Sequence, residues 1–144
     1  MHKQRSTRSA FTLVEVLIVV VIMAILAATI IPQFTDSTKD AKESTSKFNL
    51  HTMRSQIELY KAHHNGVLPS ADLAELTKAT DADGADGGPF GPYMREIPAN
   101  PFTNSKTVTA TADNPPTAAT SGGGWLYNST TGGIWIDHAD YLGQ

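Results

Sequence analysis

From residue 11 the chain runs apolar for about twenty positions, Phe11 to Ile31, interrupted by one carboxylate, Glu15. At 1.5 Å per residue such a run makes a helix about 30 Å long, the thickness of bilayer hydrocarbon. A single membrane span is predicted. Met1 to Ala10, ahead of it, hold Lys3, Arg5 and Arg8 and no acid, so the positive-inside bias keeps the N-terminus cytoplasmic and sends everything after Pro32 across the membrane.

The helix is expected to continue past Pro32, which removes an internal hydrogen bond and should kink or loosen it where membrane gives way to water. Phe34, Ala41, Phe48, Met53, Ile57 and Tyr60 recur near multiples of 3.5 to 3.6, while Lys39, Asp40, Lys42, Glu43, Lys47, Arg54 and Glu58 take other faces. Residues 35–47 are rich in Ser and Thr and poor in large apolar side chains, so only the later part of this amphipathic stretch should lie against a globular head. Asn65-Gly66 marks the stop, and Pro69 follows it.

After the stop, Ser70 is positioned to cap a short second helix reaching about Ala79, with Asp72 and Glu75 in its first turn. A Gly and Asp rich loop, residues 81–91, comes next. Thr107 to Thr111 reads as an edge strand and residues 113–124 as a Pro, Thr and Gly rich linker. Trp125-Leu126-Tyr127 and Ile134-Trp135-Ile136 flank Asn128 to Gly133 as a hairpin whose alternate residues should pack on the long helix. The fold class is α+β: a long N-terminal helix packed on a small head with a short antiparallel hairpin or sheet.

Charge and composition narrow the function. Without the leader's Lys3, Arg5 and Arg8, eight of the eleven basic residues remain against 14 acidic ones, a formal net charge of −6 that disfavours nucleic acid as a partner. There are no cysteines, so stability must come from packing or from packing with a bound ion. An ionised Glu inside a span is costly and ordinarily has a functional partner. Glu15 either snorkels to the headgroups or meets a cation at its own depth.

The stretch AFTLVEVLIVVVIMAILAATIIP resembles the class III signal sequence of type IV pilins and type II secretion pseudopilins. The resemblance implies cleavage by a prepilin peptidase between Ala10 and Phe11, N-methylation of Phe11, and assembly in which Glu15 meets the new Phe11 amine of a neighbouring subunit. Pro32 matches the family's helix-kinking proline. The family usually carries glycine before the cut; Ala10 keeps that position small. Tyr93-Met94-Arg95-Glu96-Ile97-Pro98-Ala99-Asn100-Pro101-Phe102 is similar to a passage of major pseudopilins, and the Asn65 to Ser70 pattern adds to it. These matches favour the secretion branch.

The expected organisation is a cleaved leader at residues 1–10, a membrane and filament-core helix at 11–31, its amphipathic continuation at 32–64, and a periplasmic head at 65–144. The expected role is a structural subunit of the periplasmic filament of a type II secretion system, not an enzyme, anchored by one span in the bacterial inner membrane. Its implied partners are copies of itself, prepilin peptidase, the inner-membrane secretion platform, minor pseudopilins and the membrane, with no nucleic acid. The alternatives are a type IV pilin for adhesion, motility or DNA uptake, and a membrane-anchored ligand-binding module using Trp125 and Trp135.

No cofactor is expected. Asp81, Asp83 and Asp86 around Gly84 form a partial calcium loop, because Ca²⁺ takes closely spaced oxygen ligands, but the loop lacks an EF-hand's final Glu. A solvated Asp/Gly turn is the preferred reading. Major pseudopilins bind calcium in a C-terminal acidic loop, whose place here the Trp125 to Ile136 hairpin takes. His63 and His64 are read as solvated polar residues at the helix end, and the two tryptophans as core.

Overall fold

A computed structural model of the chain describes residues 11–143, and its dominant element is α1, Leu13–His63, a helix of 51 residues with Pro32 inside it. Its start is chemically defined. The Glu15 N–H donates to Thr12 Oγ1 at 3.2 Å, while the Thr12 N–H donates to Glu15 Oε2 at 2.8 Å. This reciprocal capping box satisfies two backbone donors that the first turn otherwise leaves unpaired. At Pro32 the missing N–H leaves the Ala28 carbonyl without its usual donor, yet the helix runs through.

α1 ends where the sequence places the stop. Asn65 adopts the left-handed conformation (φ 56°), and the Gly66 N–H reaches back to the Lys61 carbonyl at 2.9 Å, the six-to-one bond of a Schellman closure. The predicted helix from Ser70 is shorter than expected. Only a 3-10 turn forms, Ala74–Thr77, preceded by Leu73 at φ 57°. Its N-cap is Leu73, which has no side-chain cap bond, and Asp72 one residue earlier accepts the Ala74 N–H on Oδ1 at 3.1 Å. Ser70 instead turns its hydroxyl towards the carboxylates of Asp72 and Glu75. The physical reason is Leu73, which is fully buried in the core. Its left-handed backbone excludes a regular helix before Ala74.

Three short strands follow: β1, Val108–Ala110, β2, Trp125–Tyr127, and β3, Ile134–Ile136, in the order β1-β2-β3. The hairpin pairs Trp125 with Ile136, Leu126 with Trp135 and Tyr127 with Ile134. The predicted edge strand is present, but it lies parallel to β2, so the sheet is mixed and not wholly antiparallel. Asn128 closes the hairpin loop. Its Oδ1 accepts the N–H groups of Thr130 and Thr131 at 2.9 and 3.0 Å, and its Nδ2 donates to the Ala112 carbonyl at 3.0 Å, tying the loop to the segment after β1.

The chain divides into two units, Met1–Asp40 and Ala41–Gln144. In the first, the described apolar side chains of α1 are all exposed. In the second, Leu50, Met53, Ile57 and Tyr60 of α1 join Leu73, Leu76, Tyr141 and the Trp125, Tyr127, Ile134, Ile136 face of the hairpin in one apolar cluster. The core seam of α1 is therefore Ser46, Leu50, Met53, Ile57 and Tyr60, spaced by threes and fours, and the buried His64 just past its end keeps the spacing. Phe48, expected on that seam, is 71% exposed.

Alternate hairpin residues join the α1 side chains in the core as expected, but the opposite face is not open to water. All six strand residues are buried, because Leu126 and Trp135 are covered on the opposite face as well. The Trp135 indole lies back over Gly133, where an added Cβ would fall 2.1 Å from the ring. The outer edge of β3 is also occupied. Arg54 donates to the Ile134 carbonyl at 3.0 Å, blocking a backbone group that would otherwise be open to strand addition.

Candidate assembly and processing site

The apolar run that opens α1 carries its single carboxylate at the third helical position. Besides the two backbone bonds of the cap, the Thr12 hydroxyl lies 2.8 Å from Glu15 Oε2. The side chain is thus held against its own first turn, where the helix dipole favours negative charge. Thr12 is a residue the sequence reading missed, although Thr-x-x-Glu before an apolar run is the capping-box signature. Phe11 is exposed immediately before this turn. Ala10, the other half of the expected cleavage pair, lies outside the described residues.

Glu15 and Phe11 stand next to a surface with nothing polar on it. Val16, Leu17, Ile18, Val19 and Val20 are each about half exposed, and Thr29 donates its hydroxyl to the Ile25 carbonyl at 3.0 Å. Pro32 falls within the helical continuation, just after Ile31. This segment can bury itself only against something apolar, lipid or another helix. Packing within the described chain does not cover it.

The acidic turn uses its carboxylates separately. Asp81 Oδ1 accepts the N–H groups of Asp83 and Ala85 at 3.0 and 2.9 Å, Asp86 pairs with Lys78 at 3.3 Å, and Asp83 is exposed. Among the described residues no three His, Cys, Asp or Glu side chains gather in a set that could hold a metal ion.

The histidines depart from the sequence reading. His64 is 1% exposed and stacks on Tyr60 with ring centroids 3.7 Å apart. Its Nδ1 lies 2.7 Å from the Tyr60 carbonyl, which can only accept, so Nδ1 carries the proton; Nε2 meets Thr80 Oγ1 at 3.0 Å. His63 is half-buried, with Nδ1 3.0 Å from the Tyr93 hydroxyl. Both rings are built into the packing: His64 lies against Thr80 and Phe90, and His63 against Phe90 and Tyr93.

The passage Tyr93 to Phe102 straps the core. The Pro98 carbonyl accepts the Trp125 indole N–H at 2.8 Å, the buried Asn100 Nδ2 donates to the Gly124 carbonyl at 2.9 Å, and Phe102 stacks on Tyr141. Burial pushes the Tyr127 hydroxyl well above the usual tyrosine range and pulls the Arg54 guanidinium below its own. Trp125 is fully buried and Trp135 only 7% exposed. They are core residues, and neither indole offers a sugar platform.

Residues 5–31 match the family model described as the prokaryotic N-terminal methylation motif. The chain carries a prepilin-type methylation signal. It is also similar to the type II secretion system core protein G of Pseudomonas aeruginosa, 38% identical over 58 residues that make up 40% of this chain. Those residues span about two fifths, 41%, of that relative's length. Both matches support the resemblance to a type II secretion pseudopilin, and the motif coincides with the apolar start of α1. α1 is also long and apolar enough to cross a membrane. No solved structure matches the chain.

Proposed function

We infer that the chain is a pseudopilin, a structural and non-catalytic subunit that assembles through its N-terminal helix into the periplasmic filament of a type II secretion system. The observation that carries this reading is the lone carboxylate of Glu15, set in an otherwise uncharged exposed helix inside the matched methylation motif. The reading has the chain held in the inner membrane by residues 11–31, continued by residues 32–64, with residues 65–144 in the periplasm. Prepilin peptidase, the secretion platform, minor pseudopilins and further copies of the chain are its partners.

The chemistry follows from one cleavage. Cutting between Ala10 and Phe11 replaces a neutral amide with an α-amine, cationic near neutral pH. In the free subunit the Glu15 carboxylate is occupied by Thr12; in the filament it turns to the Phe11 amine of a neighbour. A buried charge left without its partner costs about 3–5 kcal/mol, so the pair sets register along the filament. Pro32 loosens the helix beyond this contact.

Two measurements test the reading. Intact-mass spectrometry of membrane-extracted protein should show a chain starting at Phe11 and bearing one methyl group; a chain retaining residues 1–10 in a host with active prepilin peptidase would overturn the processing step. Glu15→Ala should abolish filament recovery by shearing while residues 41–143 stay protease-resistant. Normal filament yield from that variant would remove the register role.

A further inference from the structure

The turn that closes α1 holds the one Asn-Gly pair in the chain, Asn65-Gly66. An asparagine followed by glycine is chemically unstable, because the next backbone nitrogen can attack the side-chain amide and glycine has no Cβ to hinder the approach. The other asparagines lack that combination. Asn100 and Asn114 precede proline, whose nitrogen carries no hydrogen, and Asn49, Asn104 and Asn128 precede leucine or serine.

Burial does not shield the pair. Asn65, Gly66 and Val67 are all exposed, and a Cβ built on Gly66 would meet nothing within 4 Å. The backbone is held by hydrogen bonds instead. The Gly66 N–H donates to the Lys61 carbonyl at 2.9 Å, and the Val67 N–H donates to the His64 carbonyl at 2.9 Å, with Asn65 left-handed at φ 56° between them. Attack requires the Gly66 nitrogen to give up its proton and turn towards Asn65 Cγ. Neither step is open while that proton sits on the Lys61 carbonyl.

We propose that Asn65 is a site of spontaneous deamidation that the Schellman closure keeps latent, so that the modification marks chains whose α1 end has opened. In an opened chain the Gly66 nitrogen loses its proton and forms a bond to Asn65 Cγ. The Cγ–Nδ2 bond breaks, and Nδ2 takes up a proton and leaves as ammonia. Water then opens the five-membered imide at either carbonyl, giving aspartate or isoaspartate, whose backbone runs through Cγ. Both products resist reclosure. The new carboxylate lies at the C-terminal end of a helix, where the dipole disfavours negative charge, and isoaspartate adds a carbon to the ring that the bond from Gly66 to Lys61 closes. His64, the residue before, then loses the fixed backbone that sets its ring between the Tyr60 carbonyl and Thr80.

The full chain in detergent is incubated at mildly alkaline pH, native or in guanidinium chloride, and the peptide carrying residue 65 is followed by mass, which rises by the difference between an amide and an acid. Asp83-Gly84 and Asp86-Gly87 can form the same imide, but without that change in mass, so the readout is specific to Asn65. Conversion should be at least about tenfold faster in the denatured chain, and hydrogen exchange at the native Gly66 amide should be slowed by a comparable factor, because both reactions need the bond to Lys61 open. Equal conversion in the two states overturns the proposal, and so does no conversion in the denatured chain. Slow native conversion beside a freely exchanging Gly66 amide also overturns it, because the protection would then not lie in the closure.

Discussion

Residues 13–31 and 46–63 belong to one helix but satisfy opposite requirements. The first stretch is apolar on every face and exposed on every face, so its stabilisation is deferred to lipid or to another helix. The second buries one seam in its own unit and spends the rest on charges and hydroxyls. An all-round apolar helix has no preferred orientation, so one carboxylate and one cap must supply it; an amphipathic helix is oriented by packing. Orientation therefore rests on Glu15 in one stretch and on Met53, Ile57 and Tyr60 in the other.

The sharpest way to break this contrast is to truncate one large residue in each stretch and one in the hairpin that shares the core of the second. Trp125→Ala removes a fully buried indole and its bond to Pro98, and should lower the unfolding free energy by about 3–5 kcal/mol; Ile57→Ala should cost about 2–5 kcal/mol. Leu17→Ala should leave the same transition unchanged. Thermal unfolding of the full chain in detergent, followed by near-ultraviolet circular dichroism, reads all three. Equal losses from Leu17→Ala and Ile57→Ala would abolish the distinction.

His64 probes the end of the core seam. His64→Ala leaves a cavity and strips Thr80 Oγ1 of a partner, for an expected loss of about 2–3 kcal/mol in the same assay. His63→Ala should cost clearly less, since that ring is only half-buried. The reverse order would mean that the helix end is oriented differently.

Asn65→Ala tests the stop itself. Placing alanine at φ 56° should cost about 1 kcal/mol, and Asn65→Gly should not be destabilising. If alanine is tolerated without loss, the left-handed turn does not limit α1.

The smallest effect concerns Asp72, whose carboxyl is held below the usual range by the Ser70 hydroxyl first and the Ala74 N–H second. A depressed folded value means that the stabilisation is present above the ordinary Asp pKa of about 3.9 and is lost as pH falls through the lower folded value. The group is exposed, so Asp72→Asn should cost under about 1 kcal/mol at pH 7. The difference from the parent should shrink in unfolding curves taken below about pH 3.9. A gap that widens on acidification would reverse the assigned sign.

Local chemistry alone determined the apolar run, the lone Glu15, the Asn65-Gly66 stop and both hairpin strands, because each is written in adjacent residues or in an unmistakable contrast with water. Thr12 as a cap was legible too, in the Thr-x-x-Glu spacing. Which seam of the later helix faces the core was not. Phe34, Ala41 and Phe48 recur every seven residues and fit a helical face as well as Ser46, Leu50 and Met53 do, so periodicity could not choose between them. The choice was made by the Trp125, Tyr127, Ile134 and Ile136 face, which takes Leu50, Met53, Ile57 and Tyr60 and leaves Phe48 outside. His64, Leu73 and the parallel pairing of β1 were decided the same way. Tyr60 lies within one turn of His64, but the ring's other partner, Thr80, is 16 residues on, and Leu73 and β1 are placed by packing across the whole unit, which no window of neighbouring residues contains.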